Sequence, residues 1–153
     1  MLDELKPIWG QLVEIYDALD AVMAEIPDAR LYWKPSERAT TAGYLAQHIG
    51  RANITYANMM QTGERGWRYE PEPGLPREAV MERVRMSRER VLAVFDTLPL
   101  DRLHARCADD WAGLGPVVEG PLDALWFARL MVSHSAYHVG QLNYISLLLE
   151  GVE

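Results

Sequence analysis

Apolar residues recur along most of this chain at helical rather than strand spacing. Between 3 and 26, Leu5, Ile8, Trp9, Leu12, Ile15, Leu19, Val22 and Ile26 follow three- and four-residue steps, the period of one helix face. Asp3 and Glu4 suit the N-terminal end of that helix dipole, Pro7 is tolerated in a first turn, and Pro27-Asp28 closes the element. Glu14, Asp17 and Asp20 lie off the stripe and read as solvent-facing acids. A second helix is expected from about 41 to 62. Tyr44, Leu45, His48, Ala52, Thr55 and Met59 share its inward face, Thr40 or Thr41 caps it, and Gly63 stops it. A third runs from Pro76 to about Leu98 with a narrow seam of Val80, Val84, Ser87, Val91, Val94 and Leu98. The fourth opens at Pro121 and continues to about Leu149, roughly 40 Å at 1.5 Å per residue.

The segments between these patterns are connections. Leu31, Tyr32 and Trp33 make 27–40 too apolar for a free linker, so it is expected to fold back onto the end of the helices. Residues 63–75 are a loop by their Gly and Pro content, and 99–120 form a long connection carrying His104, Cys107, Asp109, Asp110 and Trp111. No strand is predicted, because the alternating stretches are short and broken by Pro or Gly. Four long amphipathic helices joined by loops predict an all-α four-helix bundle, with residues 1–153 as a single domain.

Composition narrows the function classes. With a net charge of −7 and scattered Lys and Arg, the chain lacks the basic face of a nucleic-acid binder. Its densest basic run, Arg83, Arg85, Arg88 and Arg90, is interleaved with Glu82 and Glu89 and reads as a solvated helix face. No uncharged stretch approaches the ~20 apolar residues of a membrane span, and no signal peptide is recognised. The lone cysteine, Cys107, rules out an intrachain disulfide and suits a reducing cytoplasm, the expected location.

Candidate chemistry concentrates in histidines. On the fourth helix Leu130, His134, His138, Gln141 and Ile145 lie in one stripe, so the two imidazoles project one turn apart. They are either satisfied core residues or ligands converging on one ion. His48 is the other histidine on an inward face, and a neighbouring helix at 8–10 Å brings a third imidazole within reach. Three histidines leave coordination positions open on a first-row divalent ion. Gln141 is placed to reach the same pocket, as an orienting group for a ligand or as a capped core amide. Tyr137 also flanks the pair. Trp111 and Tyr44 are candidates for a substrate cleft, although core packing is the commoner use of aromatics. His104 reads as exposed, and a Cys107–His104 nucleophile pair lacks an activating environment.

The run Leu45-Ala46-Gln47-His48-Ile49, followed by His134-Ser135-Ala136-Tyr137-His138-Val139-Gly140-Gln141-Leu142, resembles the DinB/YfiT-like superfamily. Tyr32-Trp33-Lys34-Pro35 ahead of the second helix fits as well. The resemblance implies a four-helix bundle with a variant of up-and-down topology, often a homodimer. It implies a divalent metal, commonly zinc or nickel, on His48, His134 and His138. It implies thiol S-transferase or thiol-dependent isomerase chemistry on a small-molecule substrate, with a low-molecular-weight thiol as cosubstrate. The family name refers to DNA-damage induction and implies no DNA binding. Two positions depart from the pattern: Thr40-Thr41 stands where a Trp-Ser pair often opens the second helix, and Ser146 lies where an Arg often follows the Gly-Gln string. Both leave the triad intact and bear on substrate recognition. The expectation is a divalent-metal-dependent enzyme; the alternative is a non-enzymatic dimeric module that binds a metal or small ligand.

Overall fold

The periodicities become helices close to their expected bounds. A computed structural model describes residues 1–107 and 122–151. Asp109, Asp110, Trp111 and Pro121 lie outside the described residues. The helices are α1 (Lys6–Glu25), α2 (Ala42–Thr62), α3 (Arg77–Thr97), a single turn α4 (Leu100–Leu103) and α5 (Ala124–Leu149). A 3₁₀ turn, Asp28–Arg30, follows α1, and no strand is formed among the described residues beyond the isolated bridge Arg106–Asp123. Neither α4 nor the 3₁₀ turn is expected from the periodicity, because one turn is too short to display it. Asp3 and Glu4 precede the first turn of α1 instead of lying in it, and Asp3 pairs with Lys6 at 2.6 Å. Thr41 is the cap of α2: its Oγ1 accepts from Tyr44 N at 3.2 Å, and Gly63 ends the helix at φ 78°. Asp123 caps α5 by accepting from Trp126 N at 2.8 Å.

Side-chain pairings give the directions. Tyr16 meets Ser87 and Arg77 reaches back to Met23 and Ile26, so α1 and α3 are antiparallel. Gln47 meets Arg83 and Asn58 meets Arg90, so α2 and α3 are parallel. His48 meets His134 and Tyr56 meets Phe127, so α2 and α5 are antiparallel. The order is up-down-down-up, with α1 packed beside α5 and α2 between α3 and α5. This variant topology accounts for two long connections. One carries the chain from α1 across the bundle end, with Leu31 buried as expected. The other, 63–75, runs back along α2 as a strap. Two buried amides clamp it: Gln47 bonds Glu72 N and O, and Asn58 Nδ2 donates to Arg65 O and Trp67 O.

The central position of α2 corrects its single-face reading. Residues on every side of it are buried, including Leu45, Ala46, Ile49, Asn53, Ile54, Ala57 and Met60. The seam of α3 is buried throughout, as expected. A polar chain also crosses the core. Asn53 Nδ2 donates to Tyr16 Oη at 3.0 Å, Ser135 Oγ donates to Asn53 Oδ1 at 3.2 Å, and Tyr16 Oη lies 3.2 Å from Ser87 Oγ. These four side chains come from four helices. Burial without such partners would cost about 1–3 kcal/mol per group, so they select one register among the helices. Arg77 of α3 donates to Met23 O and Ile26 O and pairs with Asp28, supplying the cation that the last turn of α1 lacks.

Of the two glycines inside α2, Gly43 and Gly50, Gly50 has the less room for a side chain. A Cβ there would lie 2.2 Å from Tyr69 Oη and 3.3 Å from both Arg83 O and Ser87 Oγ. Tyr69 Oη is held by a 2.8 Å bond to Gln47 O, so it does not yield freely. Gly50→Ala is expected to lower stability by about 1–3 kcal/mol through overpacking. Urea denaturation checks this; an unchanged midpoint would show that the strap moves aside at no cost.

Candidate metal centre

The up-down-down-up order brings the second turn of α2 against the middle of α5. His48, His134 and His138 meet there. His134 Nε2 lies 3.2 Å from His48 Nε2 and 3.1 Å from His138 Nε2, and one ligand atom from each ring falls within 4.8 Å of the others. A tetrahedral ion with bonds of about 2.0–2.1 Å sets its nitrogens roughly 3.3 Å apart, which is close to these two separations. His134 is 8% exposed, while His48 and His138 are half-buried at the edge of the core.

The proton inventory of the cluster favours a cation. His138 Nδ1 lies 2.6 Å from Gln141 Oε1, an acceptor, so Nδ1 carries the proton and Nε2 keeps its lone pair. His134 Nε2 offers at most one proton to two neighbours. Nδ1 of His48 and of His134 is buried and finds no partner among the described residues. Among the described residues, no carboxylate, carbonyl or hydroxyl holds the Nδ1 of either of these two rings. Three nitrogens of this kind converging on one point fit a divalent ion.

A family model described as the DinB superfamily matches residues 11–142. The chain belongs to the DinB superfamily. It is similar in structure to a DinB-like protein, YjoA, from Bacillus subtilis, with 17% identity, a TM-score of 0.71, and coverage of 97% of this chain and 94% of that one. At that identity the likeness is one of fold. No curated protein matches the chain.

In this DinB-superfamily bundle, burial sets the charge state of the triad. It pulls the His48 pKa down to about 4, helped by His138 and Arg51, and the His134 pKa down to about 3, helped by His138 and His48. Burial lowers His138 as well, against the opposing bond to Gln141. The rings are thus neutral, the form that binds metal, at neutral pH. Stability is linked to the same shifts. Below about pH 6.5 the unfolded chain takes up protons at these histidines and the folded chain does not until near pH 4 and pH 3. Metal-free protein is therefore expected to lose about 2 kcal/mol between pH 7 and pH 5 through His134 and a further, solvent-screened share through the less buried His48. Denaturation midpoints across that range check this, and His134→Gln should flatten the slope. A stability that rises on acidification would contradict it.

Gln141 bridges His138 and Tyr137. Its Oε1 accepts from His138, and its Nε2 donates to Tyr137 Oη at 3.3 Å, fixing which way the amide faces. Gln141→Leu is expected to weaken metal affinity by about 10–100-fold with the fold retained. Metal titration with a competing chelator measures this; an unchanged affinity would remove Gln141 from the site.

Other candidates resolve differently. Tyr44 is 47% exposed and stacks on His48 at 6.0 Å between ring centroids, so it lies beside the site instead of in the core. It lines a cavity of about 640 Å³ with Tyr32, Thr41 and Pro71. His104 is exposed, as expected, with its Nδ1 3.6 Å from Asp123 Oδ2. Cys107 is buried and its Sγ faces Ala105 O; burial pushes the thiol up, away from nucleophile behaviour. Ser146, at the departing position, bonds Glu25 of α1 at 3.3 Å. Sequence reasoning missed the three arginines beside the triad, Arg51, Arg65 and Arg68. The spacing of Arg51, three residues after His48, is a signal for the first of them.

Proposed function

We propose that this chain is a divalent-metal-dependent enzyme acting with a low-molecular-weight thiol, as an S-transferase or a thiol-dependent isomerase. The convergence of three imidazole Nε2 atoms on one point supports this reading most strongly. His48, His134 and His138 would hold the ion, zinc or nickel, with positions left for a small molecule. When bound, such an ion lowers the pKa of a thiol or water and makes a nucleophile available near neutral pH. The chain's own residues do the rest. Gln141 and Tyr137 set the His138 ring, Tyr56 packs edge-on against His134 at 5.7 Å, and Tyr44 covers His48. Together they hold the rings in place from several sides before any substrate arrives.

The form proposed is a cytoplasmic homodimer. No helix among the described residues is long and apolar enough to cross a membrane, the cysteine is unpaired, and α5 exposes Tyr144 and Leu147. Elemental analysis of untagged protein, followed by assays pairing several small thiols with several electrophiles, tests the function. The expected result is about one equivalent of metal and turnover that disappears in His134→Ala. A metal-loaded protein inert towards every pairing would favour the non-enzymatic metal-binding module.

A further inference from the structure

The connection from α1 to α2 and the strap enclose a cavity of about 640 Å³ at the start of α2. That volume falls within the range of small-molecule sites, roughly 300–1,000 Å³. Its walls are held in place by the fold itself. Tyr32 Oη donates to Leu75 O at 3.0 Å, and the Tyr32 ring lies so close over α2 that a Cβ at Gly43 would come within 2.8 Å of it. Pro71 and Pro73 line the opposite part of the strap, which Gln47 pins by bonding Glu72 between them. Tyr44 lines the cavity too, and its ring stacks on His48 at 6.0 Å between centroids. The cavity therefore reaches the edge of the triad.

Its charge is one-sided. Of the described residues, Lys34 and Arg38 are the cations that line it, and no carboxylate lines it. Both side chains are exposed, and neither makes a hydrogen bond or ion pair with another described residue. The acids nearby do not offset them. Glu72 on the strap pairs with Arg83, and Glu37, between the two cations in sequence, does not line the cavity. An exposed lysine and arginine alone would be ordinary surface. Here they stand among tyrosine rings and prolines, beside a candidate metal ligand, in a chain with a net charge of −7. Cations attract and orient an anion, and aromatic walls take up an apolar body.

We propose that this cavity takes the carboxylate end of a small acidic substrate, held by Arg38 and Lys34, with its apolar part against Tyr32 and Tyr44 and its other end at the triad. The link to the triad rests on the metal-dependent reading. Binding of the acid does not, because none of the groups that hold it is a candidate metal ligand. The guanidinium offers a carboxylate two parallel donors, and the ammonium adds a second charge without a fixed geometry. Tyr44 then serves both parts of the site, as a wall for the substrate and a cover for His48.

The test titrates full-length nitrogen-15-labelled protein, metal-free and zinc-loaded, with phenylacetate and with phenylacetamide, which differ in charge and little in shape. Backbone amide resonances report where each probe binds and whether the fold is kept. The expected result in metal-free protein is saturable shifts at residues 32–44 and 71–74 with phenylacetate, and an affinity for phenylacetamide about tenfold lower. Added salt should weaken phenylacetate and leave phenylacetamide unchanged. Lys34→Gln and Arg38→Gln combined should bring the two affinities level with zinc stoichiometry unchanged. Tyr44→Phe should keep phenylacetate binding, and Tyr44→Ala should weaken it about fivefold. Equal affinities for the two probes in the unaltered protein, or linear shifts with both, would overturn the proposal. So would shifts seen only in zinc-loaded protein and confined to the surroundings of His48, His134 and His138, which would place the carboxylate on the metal. Zinc uptake with no phenylacetate response in either form refutes the cavity alone. A saturable response at 32–44 in a protein that takes up no metal supports the cavity and refutes the metal reading.

Discussion

Replacing His134 with alanine is expected to abolish metal binding at the proposed centre while the bundle stays folded. His134 is the middle member of the triad, its Nε2 within 3.2 Å of both others, so its loss leaves two rings on different helices with no common neighbour. Structural zinc sites with four ligands are worth about 10–16 kcal/mol, or roughly 3–4 kcal/mol per ligand, so the affinity should fall several hundredfold. The fold should survive because His134 contributes no satisfied hydrogen bond to the core: its Nδ1 has no partner among the described residues. Metal content after dialysis, with far-ultraviolet circular dichroism on the same sample, separates the two effects. A variant that keeps a full equivalent of metal at undiminished affinity would place the ion elsewhere.

Phe127→Ala should give the largest loss of stability. Phe127 is completely buried, packs edge-on against Trp126 at 4.9 Å and meets Tyr56 at 6.2 Å. Truncating a buried phenyl ring costs about 3–5 kcal/mol in lost transfer energy and residual cavity. At about 2–4 °C per kcal/mol for a domain of this size, Tm should fall by roughly 10 °C. The effect also reaches the site. Tyr56, 2% exposed, stands between Phe127 and His134, so a cavity at Phe127 loosens the wall behind the ligand ring. Metal affinity is expected to weaken by less than in His134→Ala, since all three nitrogens remain. Thermal denaturation of the metal-free protein measures the first effect and metal titration the second. A loss below about 1 kcal/mol would mean that Trp126 and Tyr56 collapse into the space.

The two substitutions probe different kinds of information in the chain. The spacing of Val80, Val84, Val91 and Val94, or of Leu5, Ile8, Leu12 and Leu19, declares a buried face, because a helix repeats its surface every 3.6 residues whatever it packs against. Thr41 and Gly63 declare their helix ends for an equally local reason: a hydroxyl completes an orphan N–H, and glycine accepts a positive φ. His134 and His138 are local too, since one turn of α5 suffices to place them together. Tyr44 marks where this reasoning fails. Its register put it with Leu45 and His48, but nothing in register says where the neighbouring helices stop, and it lies at the rim, 47% exposed.

The sequence by itself determined the helices, most of their ends, the paired imidazoles of α5 and the resemblance that named His48 as their partner, because each is carried by residues adjacent in the chain or by a recognisable string. Only the tertiary structure decided the up-down-down-up order, and with it the meeting of His48 with His134 across 86 positions. It alone decided that Asn53, Tyr16, Ser87 and Ser135 share one polar chain, and that the strap brings Arg65 and Arg68 beside Arg51. These are contacts between segments distant in sequence, set by which helices become neighbours, and no local periodicity encodes that choice.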